Sequence, residues 1–546
     1  MTRKIISLVL ACLMAATVLT ACGSGATPAA SSSAASSEAA SAPVSSGDAL
    51  PAYSEITVEV FDRGTDGGKT DPTNNFYTDW IKEKAKKDLN LGVTFKAVSR
   101  WEETEQLNNL MAANSAPDLC LTYSQDLITN YRDLGGLTDL SPYVDTLLKD
   151  VKEFLGEDTS LPGKDLIMRD VVPETGKLFD IPARRVNVAG ANTFIRKDWL
   201  DKLGLKVPTT KEEYFDALVQ FKEKDPGKVG KDKVIPFTAT DDIRWRASNI
   251  VDSFIDPNLS EKDRYVNTCV DRFFLLPGYK EGVRYLNKMY NAGLIDPQFP
   301  LYKGDQESDN LIKSGVVGSF IHNWDQAYRE SPGLLIELKK TVPDAEFITI
   351  DPFKNAAGKT PKFQYDKAGV KIFVPASSKN PEGAVRYLNW ITKFENRYFL
   401  QVGEEGVTHK MVDGVPKIIT ATGPKIMNSA LNIDYTLTIN GLDLNDDAKN
   451  LQATANSYSF DKALITEAYE NSMRDGVVTP VRSITLTAAG PVTQTLQDKG
   501  KALMAESIKA PEAKFDAVWD AGIKDWLASG AQAVIDERAQ KYYDLK

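Results

Sequence analysis

Residues 56–61, Ile-Thr-Val-Glu-Val-Phe, alternate with period two and are rich in β-branched side chains, which predicts a β-strand. Residues 75–89 then show apolar side chains near helical spacing among lysines, and residues 92–98 return to an extended pattern. A helix near residues 107–113 and a short apolar strand at residues 119–121 repeat the alternation. This order predicts an α/β fold with a mainly parallel sheet and helices on both of its faces.

The whole chain has an ordinary globular composition. It has 546 residues, of which 42% are hydrophobic and 26% charged, so it is long enough for several domains or for a large two-lobed protein. The formal net charge is −10, and no run of lysine and arginine offers a surface for phosphate groups. These values exclude a nucleic-acid binder and favour a soluble protein that takes a neutral ligand.

The first 21 residues form a secretory signal. Arg3 and Lys4 precede the uncharged residues 5–19, a stretch too short to span a bilayer comfortably. Small residues then lead to Cys22, in a pattern that resembles the bacterial lipoprotein signal, whose cysteine is lipidated after cleavage. We therefore expect a lipid anchor at Cys22 on the outer face of the cytoplasmic membrane. The alternative is an ordinary signal peptide with an incidental cysteine.

Residues 22–53 form the expected tether. Of the 28 residues 23–50, 21 are Ala, Ser or Gly and none is aromatic, so this stretch cannot bury enough apolar surface to order itself. Treated as a flexible coil, it has a root-mean-square span of roughly 29 Å, enough to hold a folded domain away from a bilayer.

Two cysteines, Cys120 and Cys269, remain in the body of the chain. They could form one long-range disulfide, because the expected compartment is extracytoplasmic. Isolated cysteines in apolar settings are more often buried thiols, which is the interpretation we favour.

Three amphipathic helices are predicted in the later part of the chain. One begins with the capping box of Thr210 and Glu213, and another begins with Asn380 followed by a proline at the first helical position. The third lies near the C-terminus. Four tryptophans lie within such helices, and we expect them in the core: Trp199, Trp390, Trp519 and Trp526.

Several runs in a fixed order carry a resemblance to a known family. They are residues 108–118 (NNLMAANSAPD), residues 135–143 (GGLTDLSPY) and residues 194–204 (FIRKDWLDKLG), the last followed by VPTT at 207–210. Shorter matches at residues 377–382, 389–391 and 406–410 extend the similarity toward the C-terminus. The body resembles the extracellular solute-binding lipoproteins of bacterial ABC importers, specifically the large subfamily associated with oligosaccharides.

The resemblance implies a periplasmic-binding-protein-like fold with two α/β lobes, a hinge and a cleft between the lobes. We expect lobe 1 at residues 54–185 plus about 370–430, and lobe 2 at residues 186–369 plus about 431–546. It also implies a monomer that captures an extracellular oligosaccharide and delivers it to the membrane permease, with no enzymatic activity.

Residues that follow the predicted strands are the candidate ligand contacts, since the carboxyl ends of parallel strands line the crevice of such folds. An aromatic ring matches the C–H face of a sugar, and planar amide, carboxylate or guanidinium groups match its hydroxyls. The candidates are Arg63, Trp101, Tyr123, Trp245, Arg246, Asn323, Trp324 and Asp325. Trp324 lies just beyond the apolar residues 316–321, so we expect its ring to face the ligand.

Calcium and catalysis find little support in the sequence. Some relatives carry a calcium loop where this chain has DPGKVGKDKV at 225–234, and only the first ligand, Asp225, survives. A second partial match at residues 443–447 lacks the turn glycine, so we expect no calcium and no other cofactor. Residues 64–70 come within one residue of a phosphate-binding loop, but we interpret them as a surface loop. The alternatives left open are a glycosidase with two opposed carboxylates and a surface polysaccharide-binding lipoprotein.

Overall fold

The structure is a computed structural model, and it describes residues 50–63, 70–158, 163–270, 272–330, 332–419, 423–478, 482 and 484–543. The predicted signal, the predicted lipidation site Cys22, the predicted tether up to residue 49 and most of the loop at 64–70 lie outside the described residues. The described residues belong to one compact unit. No helix in the described part of the chain is long and apolar enough to cross a bilayer.

The strands of the described residues are short. They are β1 Ser54–Asp62, β2 Leu91–Ser99, β3 Cys120–Thr122, β4 Ile181–Arg185, β5 Ala191–Arg196, β6 Ile235–Thr238, β7 Val317–Asn323, β8 Phe347–Ile350, β9 Lys362–Phe363, β10 Ala368–Phe373, β11 His409–Val412, β12 Val415–Ile418, β13 Ile439–Asn440 and β14 Gly476–Val477.

Helices lie between most of these strands and dominate the C-terminal part. They are α1 Phe76–Leu89, α2 Glu103–Ala112, α3 Gln125–Asp133, α4 Lys149–Leu155, α5 Lys197–Leu203, α6 Lys211–Lys224, α7 Ile243–Arg246, α8 Ser248–Asp252, α9 Glu261–Val266, α10 Tyr279–Asn291, α11 Asp305–Lys313, α12 Leu334–Thr341, α13 Pro381–Thr392, α14 Phe394–Val402, α15 Ile433–Thr436, α16 Asp447–Asn456, α17 Lys462–Met473, α18 Thr493–Lys509, α19 Phe515–Trp526 and α20 Gln532–Lys541.

The first β-α-β unit is confirmed. Strands β1 and β2 pair in parallel along their whole length, with α1 between them in sequence. Asn75 caps α1, because its side chain accepts hydrogen bonds from the backbone N–H groups of Tyr77 and Thr78. Leu119 extends the sheet, since its N–H and C=O bond to the backbone of Thr57 and Glu59 at 3.2 and 2.9 Å.

The expectation of a mainly parallel sheet is wrong. One four-stranded sheet has the order β13-β4-β10-β3, in which β10 is antiparallel to both β3 and β4. The other has the order β6-β7-β5-β8, in which β5 is antiparallel to both of its neighbours and only β6 and β7 are parallel. The reason is that β10 follows the strands of the second sheet in the sequence. The chain therefore returns to the first sheet from the other lobe, and β10 runs in the direction opposite to β3 and β4.

Two sets of residues form separate hydrophobic cores. Buried residues from 56–183 and 370–437 pack around the first sheet, and buried residues from 189–353 and 455–535 pack around the second. The four tryptophans predicted to be core residues are at most 3% exposed. The chain therefore passes between the cores three times, near residues 184–190, 354–369 and 438–454.

The three crossing segments are hydrogen-bonded side by side. Arg185 N–H donates to the carbonyl of Lys367 at 2.7 Å, and Val186 N–H donates to the carbonyl of Asn440 at 2.9 Å. Tyr365 N–H donates to the carbonyl of Val188 at 3.0 Å. The predicted lobe boundaries stay a prediction, although the first core extends to residue 437, beyond the expected limit of about 430.

The structure has both predicted helix N-termini, at Thr210 and at Asn380, and both cysteines of the body as free thiols. Thr210 Oγ1 accepts from Glu213 N–H at 3.1 Å, but the Glu213 carboxylate reaches back to Thr209 rather than to Thr210. Asn380 Oδ1 accepts from Gly383 N–H at 2.9 Å and caps α13. Cys120 and Cys269 are buried free thiols, as favoured from the sequence.

Candidate functional site

Arg63 and Tyr123 lie together at the ends of β1 and β3, in the lobe around the first sheet. The Arg63 guanidinium donates to both carboxylate oxygens of Asp434 at 2.8–3.0 Å and to the Tyr123 hydroxyl at 3.2 Å. Burial alone would lower the pKa of Arg63, but the hydrogen bonds to Asp434 outweigh it and the pKa is raised. The guanidinium is therefore held in one orientation with its charge retained.

Arg100 and Trp101 complete this surface at the end of β2. The Arg100 guanidinium lies 4.1 Å from the centre of the Tyr123 ring, and Glu103 holds it at 3.0 Å. Trp101 is 73% exposed, and its indole N–H donates to the carbonyl of Arg63 at 3.3 Å. An open hollow of about 740 Å³ is lined by residues 100–105, 108 and 109. We name the set Arg63, Arg100, Trp101, Tyr123 and Asp434 the first-lobe surface.

A buried carboxyl group lies beneath the first-lobe surface. Glu59 on β1 is fully buried and accepts a hydrogen bond from Leu121 N–H at 3.1 Å. Burial raises the pKa of Glu59 to about 8, although that hydrogen bond opposes the shift. Glu103 accepts from the Thr122 hydroxyl and from Tyr123 N–H, both at 3.1 Å, and so ties α2 to β3.

Trp245 marks the candidate site in the other lobe. It lies on α7, which follows β6, and its half-buried ring meets the ring of Phe363 edge-on at 5.4 Å. Both rings line a cavity of about 30 Å³, together with Arg244, Ser248, Asp252, Arg264, Phe273 and Val477. A second cavity of about 240 Å³ shares Asp252, Arg264 and Val477 with it. We name the two together the second-lobe pocket.

The expectation that the Trp324 ring is open to a ligand is wrong. Trp324 is 5% exposed, because Tyr458 and Tyr469 meet its ring edge-on at 6.1 and 5.4 Å. Both tyrosines come from a part of the chain more than 130 residues later, so no local pattern reveals that they cover the strand end. Its role in binding stays a prediction, but its side chain packs as part of the core.

Arg246, Asn323 and Asp325 surround the same strand end with varying exposure. Arg246 is fully buried, and its Nη2 donates to the Ser308 hydroxyl at 3.1 Å. Asp325 is 6% exposed and accepts from Arg329 at 2.9 Å and from the Tyr458 hydroxyl at 2.5 Å. Asn323 is half-buried. Asp325 therefore already has structural partners, whereas Arg246 is held through Nη2 and its buried Nε and Nη1 atoms make no hydrogen bond.

Sequence reasoning missed several residues of the two surfaces. Arg100 follows β2, so the strand-end rule that selected Arg63 could have found it. Asp434 stands 371 residues from the arginine that it holds, and no sequence pattern links the two. Phe363 likewise meets Trp245 only through the tertiary fold.

The two weak calcium motifs are occupied by internal hydrogen bonds. The Asp225 carboxylate accepts from Val229 N–H and Gly230 N–H at 2.9 and 2.8 Å. The Asp443 carboxylate pairs with Arg397 at 3.2 Å. Among the described residues, no three His, Cys, Asp or Glu side chains are grouped in a way that could hold a metal ion.

These features define the class of protein: two α/β lobes joined by three crossing segments that lie side by side, each lobe with an aromatic and guanidinium surface near its strand ends. The chain belongs to the bacterial extracellular solute-binding protein family, whose family model matches residues 70–397. Its fold is the two-lobed periplasmic-binding-protein-like fold.

Three known proteins illustrate the similarity. The polygalacturonan/rhamnogalacturonan-binding protein YtcQ of Bacillus subtilis is 22% identical over 516 residues, which cover 89% of this chain and 95% of YtcQ. Lipoprotein LipO of the same organism is 25% identical over 52% of this chain and 54% of its own. The substrate-binding protein FusA of Streptococcus pneumoniae, solved with kestose, superposes with a TM-score of 0.58 at 16% identity, covering 89% of this chain and 98% of FusA.

Proposed function

We propose that this protein is the substrate-binding component of an ABC importer that captures an extracellular oligosaccharide between its lobes and delivers it to the membrane permease. Family membership supports transport, and the names of YtcQ and of the FusA complex support a carbohydrate ligand. The relatives are binding proteins, which agrees with a role without catalysis.

The observation that carries the proposal is the first-lobe surface. An indole ring that is 73% exposed lies 5.5 Å from the Arg100 guanidinium and donates to the backbone carbonyl of Arg63, whose own guanidinium is held by Asp434. A sugar ring can stack its C–H face on Trp101 while its hydroxyls meet Arg63 and the Tyr123 hydroxyl. On the other lobe, the half-buried ring of Trp245 offers a second stacking surface. We propose these four residues as ligand contacts and assign Arg246, Trp324 and Asp325 to the framework behind them.

The hinge of the proposed motion lies where the three crossing segments run side by side, at residues 184–190, 363–368 and 438–441. A Cβ atom at Gly190 would lie 1.7 Å from the carbonyl oxygen of Phe363, so only glycine lets these two segments approach each other. Gly441 has a φ of +118°, a conformation that other residues rarely adopt. Rotation about these segments would bring the two lobes together on a ligand, and the permease would recognise the closed form.

Anchoring through Cys22 is the finer part of the proposal. The name of lipoprotein LipO supports a lipoprotein, and the predicted signal of this chain ends directly before Cys22. A lipid anchor would keep a monomeric protein on the outer face of the cytoplasmic membrane, where its permease lies.

Isothermal titration calorimetry with a panel of oligosaccharides, combined with small-angle X-ray scattering, tests the function. We expect saturable binding, a smaller radius of gyration with ligand and no new reducing ends on prolonged incubation. New reducing ends would show a glycoside hydrolase. Binding with an unchanged radius of gyration would show a surface polysaccharide-binding protein that does not close.

A further inference from the structure

We propose that the second-lobe pocket binds a carboxylate of the captured sugar, so that the ligand is an acidic oligosaccharide carrying uronic acid residues. This inference rests on the proposed function and adds the chemical class of the ligand. It departs from the neutral ligand that the overall charge of −10 favours.

Two guanidinium groups in the pocket are open to a ligand. The guanidinium groups of Arg244 and Arg264 make no hydrogen bond and no ion pair with another described residue. The Arg244 guanidinium lies 4.4 Å from the centre of the Phe273 ring, which supports one of its faces, and its buried Nε atom lacks a partner. Burial lowers the pKa of Arg264, and the charge of Asp252 only partly opposes that shift. A guanidinium presents a planar fork of donors that matches a carboxylate.

A buried serine hydroxyl in the wall of the same cavity lacks a hydrogen-bond partner. Ser248 is 6% exposed, and its Oγ has no hydrogen-bond partner. Buried polar atoms are almost always satisfied, so such an atom beside two unpaired guanidinium groups indicates a place for a polar ligand atom. These three groups belong to the lining of the smaller cavity.

The charge balance of the pocket is opposite to that of the chain. The two joined cavities are lined by four cationic side chains and two carboxylates: Arg244, Arg264, Lys359 and Lys362 against Asp252 and Asp475. Lys362 is neutralised by Asp351 at 2.7 Å, and Asp475 accepts from Thr360 N–H at 2.8 Å. An excess of positive charge remains on the wall, and the rings of Trp245, Phe273 and Phe363 reduce its exposure to water.

The sizes of the two cavities match a carboxylate attached to a sugar. About 30 Å³ exceeds the roughly 10–15 Å³ that a cavity needs to hold one water molecule, so the smaller cavity accommodates a small polar group such as a carboxylate. The adjoining cavity of about 240 Å³ lies just below the usual range for small-molecule pockets, which suits one sugar ring rather than a whole chain.

The position of the pocket links it to lobe closure. Phe363 ends strand β9, and the chain continues from it directly into the crossing segment at residues 364–368. Gln364 N–H donates to the carbonyl of Val477, so β14 and the crossing move together. A ligand group held here would contact the hinge as well as the wall of one lobe.

Calorimetry with matched acidic and neutral sugars tests the inference. The panel contains oligogalacturonates, oligoglucuronates and oligomannuronates of three to six residues, each also in carboxyl-reduced form, with kestose and xylo-oligosaccharides as neutral sugars. We expect an acidic member to bind at least about tenfold more tightly than its reduced form, since a charge-assisted hydrogen bond is lost on reduction.

Variants locate the site. Arg244→Gln and Arg264→Gln should each weaken binding of the acidic sugar by about 10- to 100-fold and change the affinity for its reduced form by less than about threefold. Ser248→Ala, which removes only one hydroxyl, should weaken it severalfold, and circular dichroism checks that each variant folds. Arg284→Gln removes a guanidinium that pairs with Asp516 elsewhere in the same lobe and serves as the matched control.

The outcomes separate this inference from the proposed function. If neutral sugars bind and no acidic one does, or if both Arg variants keep full affinity for the acidic sugar, the carboxylate site is wrong while oligosaccharide capture stands. If no sugar in the panel binds, the proposed function fails and this inference fails with it.

Discussion

Replacing Trp101 by alanine separates a ligand contact from a packing residue. Its ring is 73% exposed; the indole N–H donates to the carbonyl of Arg63 at 3.3 Å, and the Arg100 guanidinium lies 5.5 Å from the ring centre. Losing the ring should therefore change the free energy of unfolding by no more than about 0.5 kcal/mol, as for other surface substitutions.

The expected loss of affinity follows from the area that a sugar would cover. A tryptophan buries about 150–250 Å² in total, so stacking on one face removes roughly 100 Å² from water, worth about 2.5 kcal/mol. Ordering the side chain and the sugar costs about 1 kcal/mol of this. We expect Trp101→Ala to raise the Kd by about tenfold, measured by calorimetry against the tightest sugar of the panel.

Trp324→Ala is the matched control, because that ring is 5% exposed and packs against Tyr458 and Tyr469. The cavity left behind should cost about 3–5 kcal/mol and lower the Tm by roughly 6–20 °C. If Trp101→Ala binds its sugar unchanged, or if it melts like Trp324→Ala, the assignment of Trp101 to the binding surface is wrong.

Four further predictions address stability, closure, anchoring and metal. The pKa of Glu59 is about 8 in the folded protein and about 4.3 in the unfolded chain, so the folded protein loses stability as the pH rises through 8. Glu59→Gln removes this titration and should flatten the fall in Tm between pH 5 and pH 9. Asp133 accepts a hydrogen bond from the hydroxyl of Thr485, which belongs to the other lobe, so this contact should favour the closed form. Asp133→Ala should therefore raise the ligand Kd about two- to fivefold, measured by calorimetry. An unchanged Kd would mean that the contact does not favour closure. Cys22→Ser should shift the protein from the membrane fraction to the medium or leave an uncleaved precursor on immunoblots, whereas membrane retention of a cleaved variant would refute the anchor. A calcium chelator should change the Tm by less than about 2 °C, since Asp225 already accepts two backbone N–H groups; a larger drop that calcium reverses would show that other oxygens complete a site.

The sequence by itself determined the local elements, because their causes are local. The alternation at residues 56–61 and the caps at Asn75 and Asn380 depend on side chains within a few positions of each other, and the structure has the strand and both helices there. The order of short family-like runs was enough to predict the family and the two-lobed fold, which the family model and the structural neighbours confirm.

Only the tertiary structure decided which strand ends are open and how the sheets are paired. Trp324 and Trp101 both follow strands, yet Tyr458 and Tyr469 cover the first, and no ring among the described residues covers the second in the same way. Strand β10 lies antiparallel to β3 and β4 because the chain returns from the other lobe before it joins their sheet. Burial and strand direction are set by segments more than a hundred residues apart, so the pattern within any one segment cannot specify them.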